Sequence, residues 1–398
     1  MKIVAIETLC AREFENVLWV RVHTDAGLIG LGETFYGAGA VAAHIHDTLA
    51  ARLLGRDPLR IEAIHKELVN LPMAQSSTGA EYRAASAIDI ALWDLWGKAT
   101  NQPVHQLLGG LCRDKLRIYN TCAGYQYVRN RDIRPVKTWN TVTDDPFEDL
   151  KAFTTDAGAL AENLLESGIN AMKIWPFDPA AMENGGIDIS TEQLKAALRP
   201  FELIRKRVGD RMDIMVEFHS LWNLTTAKRL ARALEPFNPT WFEDPIRMNS
   251  SQALAEYARS THVPVCASET LGSRWPCKEM LDHDAIGVVM VDLSWTGGLT
   301  EGRKIASLAE TYHKPFAPHD CTGPVAFAAA VHMSLSQPNT LIQESVRAFY
   351  TGWYNELVTV VPIIRDGFVL PMDGPGLGTD LLPSVFERSD LIVRRSQA

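Results

Sequence analysis

Cysteine is scarce in this chain of 398 residues. The six present (Cys10, Cys112, Cys122, Cys266, Cys277 and Cys321) are too thinly spread for a disulfide scaffold, and no CxxC pair occurs. Reduced thiols in a cytoplasmic protein are the expectation. No apolar run approaches the roughly 18 uninterrupted residues of a membrane span. The opening MKIVAIETLC continues with Arg12, Glu13 and Glu15, which makes a poor signal peptide. A concentrated basic footprint is also missing: 39 basic and 48 acidic side chains leave a formal charge of -9, so nucleic acid is not an expected partner. No GxGxxG follows a first strand, which argues against a dinucleotide-binding sheet. What remains is 46% hydrophobic and 22% charged, the mixture of a folded protein able to bury a large core.

The first part of the chain reads as α+β. Strands are expected at 2–9 and 17–24, with Asp25-Ala26-Gly27 marking a turn before LIGLGE at 28–33. Helices are expected at about 40–54, 59–70 and 84–99. From about residue 115 short strands alternate with helices. The strands are predicted at 116–121, 170–174, 213–218, 240–243, 263–267, 286–291, 314–318 and 340–344. Helices such as 149–167, 191–208, 225–235, 250–260 and 299–311 fall between them. This α/β cadence fits one closed (β/α) barrel, with an open doubly wound sheet as the rival. The turn-rich tail DGFVLPMDGPGLGTDL, residues 366–381, is expected to leave the barrel and pack against the N-terminal part. The expected division is a cap over 1–114, a barrel over 115–355 and a C-terminal return over 356–398 packing on barrel and cap.

Polar residues recur at the predicted strand ends. Glu217 ends DIMVEFH, Glu243 ends PTWFEDP and Glu269 sits in VPVCASE, at separations of 26 and 26 residues. Asp292 follows after 23, His319 after 27 and Glu344 after 25. One βα unit occupies about this length, so equivalent positions project into one barrel mouth. Three converging carboxylates supply hard oxygen ligands suited to Mg²⁺, with Mn²⁺ as a substitute. Scattered capping or surface acids are the plainer alternative, but they do not require a repeat.

The same cadence places two histidines. His319 lies two strands beyond Glu269, and Asp292 on the intervening strand is positioned to fix its tautomer, the arrangement of a general base. His219 follows Glu217 by two residues, and strand alternation sends i and i+2 the same way. It is expected over the same cavity, opposite His319, as an acid or a hydrogen-bonding group. Lys173 and Trp175 form another i,i+2 pair. Lys173 suits attraction of a carboxylate, with a surface lysine as the alternative. Trp175 shapes or dries the pocket. Glu344 is placed to share a hydrogen bond with a substrate oxygen. His283, His313 and His332 need no such role.

GLIGLGE at 27–33, AIDIALWDLWGKATNQPVHQLLGG, WFEDP at 241–245, the Glu-Thr after VPVCAS, PHDCTGP and the GPGLG tail together resemble the enolase superfamily, in its mandelate-racemase-like branch. The resemblance implies a barrel of modified TIM type, an α+β capping domain completed by the C-terminal tail, and a homo-oligomer. It also implies one Mg²⁺ per subunit, held by Glu217, Glu243 and Glu269, and stabilisation of an enediolate. His319 with Asp292 becomes the catalytic dyad and Glu344 the acid of the last strand. Lys173 matches the first position of the branch's K-x-K motif. Trp175 stands where a racemase has its second lysine. The His219 position resembles that of acid-sugar dehydratases of the galactonate or mannonate type.

The expected reaction is therefore loss of water from a small sugar acid: His319 removes the proton next to the carboxylate and His219 helps expel the 3-hydroxyl. Cycloisomerisation or epimerisation of a sugar acid, lactone or anhydro acid is the alternative, and a non-catalytic metal-stabilised binding protein the distant one. Specificity is expected from the loop at 10–16 and from Tyr125, Trp175 and Trp295, whose faces suit a sugar. The insertion at 176–190 reads as a flap or an ordinary surface loop.

Overall fold

The computed structural model describes residues 1–69, 79–127 and 147–398. In chain order the strands are β1 (Ile3–Ala11), β2 (Val17–Thr24), β3 (Ile29–Phe35), β4 (Leu116–Thr121), β5 (Ala171–Ile174), β6 (Asp213–Glu217), β7 (Trp241–Glu243), β8 (Val265–Ala267), β9 (Val288–Val291), β10 (Phe316–Pro318), β11 (Gln343–Ser345), β12 (Ile364–Arg365), β13 (Phe368–Val369) and β14 (Leu391–Gln397). The expected helix 59–70 is Ile61–Val69, its last position lying outside the described residues. Among the described residues no helix is long and apolar enough to cross a membrane.

The cap is a four-stranded antiparallel sheet in the order β14-β1-β2-β3. One long helix, Ala80–Thr100, lies against it. Two glycines of LIGLGE permit that contact. Gly30 and Gly32 alternate onto one face of β3, and a Cβ on them would stand 2.0 Å from the Ala91 carbonyl oxygen and 1.9 Å from that of Ala87. The helix answers with alanines at the contact.

The barrel is built from β4 to β11, with β4 to β10 paired in sequence order and in parallel. β11 pairs with β4, and a parallel bridge between Phe316 and Thr340 joins β10 to the segment entering β11, closing the ring. Several strands begin later than expected. Pro264 and Pro315 just before β8 and β10 lack the N–H that a ladder needs. β11 is displaced from 340–344 to Gln343–Ser345, because Thr340 is spent on the bridge.

Register along these strands explains the open end. Tyr119, Ala171, Met215, Trp241, Cys266, Met290, Ala317 and Ile342 belong to the cluster filling the barrel interior. Two residues on from seven of these, with the same inward direction, stand Thr121, Lys173, Glu217, Glu243, Asp292, His319 and Glu344; after Cys266 it is Glu269, three residues on, that reaches the cavity. An apolar plug is thus roofed by a polar layer.

The cap is locked onto the barrel by buried carboxylates at helix starts. Glu33 accepts from Trp19 Nε1 (2.9 Å) and from the Ala326 N–H (2.8 Å) in the first turn of helix Pro324–Ser336. Asp89 accepts from the Thr300 N–H (2.9 Å) at the start of helix Gly298–Thr311. Free N–H groups and the helix dipole favour anions at both places. The tail divides. Phe368 and Val369 pair with β4 at the lower end of the barrel, not with the cap as expected for FVLP. Leu377 does reach the cap, donating to Asp94 Oδ1 at 2.8 Å, and β14 completes the cap sheet.

His332 joins three parts of the chain. Its Nε2 donates to the Leu377 carbonyl oxygen of the tail (3.1 Å) and Nδ1 accepts from the His105 N–H (3.2 Å). Burial holds this imidazole down at about 4, from an ordinary 6.5. Between those values the unfolded chain binds a proton that the folded chain refuses, so stability falls as pH drops through this window, by about 3 kcal/mol. Urea unfolding at pH 7, 5.5 and 4 should show that loss. His332→Gln, less stable at pH 7, should show a correspondingly shallower decline.

Candidate active site

The polar roof of the barrel encloses one cavity. It is lined by Tyr36, Thr121, Tyr127, Lys173, Trp175, Glu217, His219, Glu269, Trp295, His319, Cys321 and Glu344. Glu217 and Glu243 are the last residues of β6 and β7; Glu269 lies two residues beyond β8, on the turn that follows it. One oxygen from each of the three lies within 4.8 Å of the others, and all three residues are buried. Burial lifts the Glu217 carboxyl to about 7, and burial with the neighbouring Glu217 charge lifts Glu243 well above the carboxylate range. Glu217 Oε2 is buried with no hydrogen-bond partner among the described residues. Crowded, desolvated oxygens with an unused lone pair fit a divalent cation, whose charge removes the repulsion.

Lys173 supplies the protein's own positive charge here. Its Nζ pairs with Glu243, and lies 2.9 Å from Glu344 Oε1 and 3.5 Å from Glu217 Oε2. Burial disfavours the ammonium, but Glu243 and Glu344 hold its pKa well above the ordinary value. Lys173 is thus buried among acids and is not a surface lysine. Glu344 accepts from Thr121 Oγ1 and, at 2.9 Å, from the Asp320 N–H. Its oxygens are engaged by the protein, so its direct effect is to hold Lys173.

His319 sits immediately after β10. Its Nδ1 is 2.7 Å from Asp292 Oδ2, and Asp292 Oδ1 accepts in turn from the Ser294 N–H (2.6 Å). Nε2 lies 3.0 Å from Glu269 Oε2. Burial opposes the imidazolium, yet Glu269, Glu344 and Asp292 hold its pKa well above the ordinary histidine value. The converse holds at Glu269, which burial would raise and His319 pulls below its usual range. Trp295 lies over the His319 ring at a centroid distance of 5.3 Å, fixed by an Nε1 bond to the Phe35 carbonyl oxygen (3.0 Å), and Tyr36 stacks on Trp295 at 5.6 Å.

His219 reaches the cavity by a route the alternation argument did not foresee. β6 ends at Glu217, and His219 turns inward with φ +49. Its Nδ1 lies 2.7 Å from Asp178 Oδ2. Trp175 likewise lies past its strand, by one residue; it is buried, packs edge-on to His219 at 5.8 Å, and its Nε1 has no hydrogen-bond partner among the described residues.

Other expectations part from the structure. Tyr125 does not line the cavity: its ring packs at Gly352 and its hydroxyl donates to Glu356 Oε1 at 2.6 Å, while Tyr127 takes the place at the wall. No described residue of the 10–16 loop lines it either. Phe14 is buried against Trp353 at 5.3 Å, and the Asn16 carbonyl oxygen holds the backbone of Tyr36 at 2.8 Å. The segment 176–190 contains a helix, Asp178–Asn184, with Phe177, Asp178 and Ile189 buried, which is the anchoring of a built element rather than of a loose surface loop. Sequence reasoning missed Tyr36, Thr121, Tyr127, Cys321 and Asp178. Only Thr121 carried a usable signal, two residues after the inward Tyr119.

A ring of parallel strands with a buried carboxylate triad, an ammonium and a carboxylate-held imidazole at its open end defines a capped α/β-barrel enzyme with a divalent-cation site. Comparison with known proteins places it more closely. Residues 4–109 match the mandelate racemase/muconate lactonizing enzyme N-terminal domain family, and residues 156–385 the enolase C-terminal domain-like family. The chain is 30% identical over 387 residues to D-galactonate dehydratase of Pectobacterium atrosepticum, covering 96% of this chain and 91% of that protein. It is 31% identical over 393 residues to D-galactonate dehydratase of Ralstonia nicotianae, covering 94% and 91%. The crystal structure of an enolase of the mandelate racemase subgroup from Agrobacterium tumefaciens is 49% identical and superposes with a TM-score of 0.89, covering 100% of this chain and 99% of that one. This chain belongs to the enolase superfamily, in its mandelate racemase/muconate lactonizing enzyme branch.

The triad gives a prediction that needs no substrate. Mn²⁺ at about 100 times its Kd should stabilise the chelator-treated protein by about 2.7 kcal/mol, read as a rise in Tm. Glu217→Gln and Glu243→Gln should each lower Mn²⁺ affinity in calorimetric titration at least tenfold and diminish that rise. An undiminished response in both would remove the triad as the site.

Proposed function

We propose that this chain is a Mg²⁺-dependent sugar-acid dehydratase, binding one Mg²⁺ per subunit on Glu217, Glu243 and Glu269. The observation carrying the reading is that one cavity over the triad is lined by two imidazoles, His319 and His219, while the position suited to a second lysine holds Trp175. Two histidines suit removal of a carbon-bound proton and protonation of a leaving hydroxyl; Trp175 cannot exchange a proton at carbon. The D-galactonate dehydratases to which the chain is similar support the reaction class.

A divalent cation held by the triad supplies Lewis-acid charge that makes the proton next to a carboxylate removable. The chain's residues do the rest. Lys173 attracts the substrate carboxylate and opposes the charge that builds on it, a role fixed in place by Glu344. His319, oriented through Nδ1 by Asp292, takes the C2 proton on Nε2. His219, as the imidazolium, gives its Nε2 proton to the 3-hydroxyl as the C3–O bond breaks, and water leaves. The enol then takes a proton at C3, the one held by His319 being available, and loses its hydroxyl proton to become a 2-keto-3-deoxy acid. The Nε1–H of Trp175, without a partner among the described residues, is a donor for a substrate oxygen, and Trp295 with Tyr36 excludes water beside His319. Arg83 of the cap lies over the Trp295 ring at 5.4 Å with its Nε buried and unpartnered among the described residues, which suits an anionic substrate.

The test is a Mg²⁺-dependent panel of hexonates, pentonates, aldarates and their lactones with mass-resolved products. The expected product is lighter than its substrate by one water. Unchanged mass with altered stereochemistry or ring closure would replace dehydration by isomerisation. With an acid that turns over, His319→Asn should lower both C2 proton exchange and product formation by about 10² to 10⁴-fold. His219→Gln should lower elimination much more than exchange. Equal, complete loss of both with Mn²⁺ binding intact would remove His219 from the elimination step.

A further inference from the structure

His219 is gripped from behind by a residue of a different loop. Asp178, only 1% exposed, presents Oδ2 to His219 Nδ1 at 2.7 Å. Its other oxygen, Oδ1, is buried without a hydrogen-bond partner among the described residues, and His219 is its one ion-pair partner there. A buried carboxylate with no other use for its charge is costly unless that charge is directed at the ring.

The loop carrying Asp178 is tied to the loop carrying His219. Gly186, at φ +73, lies so close to the next turn that a Cβ would stand 1.8 Å from the Leu221 carbonyl oxygen. Asn223 Nδ2 donates to the carbonyl oxygens of Gly186 (3.1 Å) and Ile187 (2.6 Å), and Thr226 Oγ1 also donates to Ile187 (2.8 Å). Asp178 and His219 are therefore set by one clamp between the turns after β5 and β6.

The other side of the cavity repeats the relation. Asp292 follows β9, His319 follows the neighbouring β10, and Oδ2 meets Nδ1 at 2.7 Å. In both pairs the carboxylate comes from the strand preceding the histidine, and it meets the same ring nitrogen. We propose that Asp178 is the positioning residue of His219: it accepts the Nδ1 proton and so leaves Nε2 as the atom that exchanges protons in the cavity. This rests on the dehydratase reading, in which His219 serves the leaving hydroxyl.

The tautomer can be read directly. In the Mg²⁺-loaded, [15N]histidine-labelled protein, at a pH where the ring is neutral, ring 15N shifts assigned by their loss in His219→Gln should show the proton on Nδ1. Asp178→Asn offers an amide able to turn and donate to Nδ1, and should move the proton to Nε2. Asp178→Ala should give a mixture of both forms. With an acid from the panel that turns over, Asp178→Asn should slow elimination about 10²-fold with KM and C2 exchange within about twofold, and Mn²⁺ affinity unchanged. Wild-type His219 protonated on Nε2, or spectra unchanged in both variants, would overturn the assignment. If His219→Gln itself leaves elimination intact, the dehydratase role of His219 fails on its own, whereas the tautomer comparison still decides what Asp178 does.

Discussion

Everything at the open end of this barrel depends on like charges being held together where water cannot separate them. Glu217, Glu243 and Glu269 are buried with one oxygen of each within 4.8 Å of the others, and left alone they would protonate or splay. Parallel strands at fixed spacing prevent the splaying, and Lys173 answers part of the charge from β5. The remaining deficit is what makes the place suited to a divalent cation. The repulsion that would destabilise an ordinary core is here the source of the site.

The cap is attached by the same economy of charge. Glu33 and Asp89 are buried at the starts of two successive barrel helices, where backbone N–H groups lack partners of their own. That attachment brings Phe35 and Tyr36 to the mouth, where they fix Trp295 over His319. A change in the cap's seating would therefore be felt at His319, although no described cap residue hydrogen-bonds its ring.

The barrel was legible because its signal is local and repeated. An apolar residue two positions before each polar one, as in Met215–Glu217, Trp241–Glu243 and Ala317–His319, fixes direction wherever a strand forms at all. The rule ran out where strands end. His219 turns inward by a left-handed residue, Glu269 stands beyond its strand, and Tyr125, expected in the cavity, packs elsewhere while Tyr127 lines it.

The sequence alone determined the alternation of strand and helix, the order in which functional groups circle the barrel, and the family, because each depends on spacing along the chain. Tertiary structure alone decided which loops touch: Asp178 with His219, Glu344 with Lys173, Phe35 with Trp295. Such contacts join segments tens to hundreds of residues apart. Their geometry follows from ring closure and the seating of the cap, which no single stretch of sequence encodes.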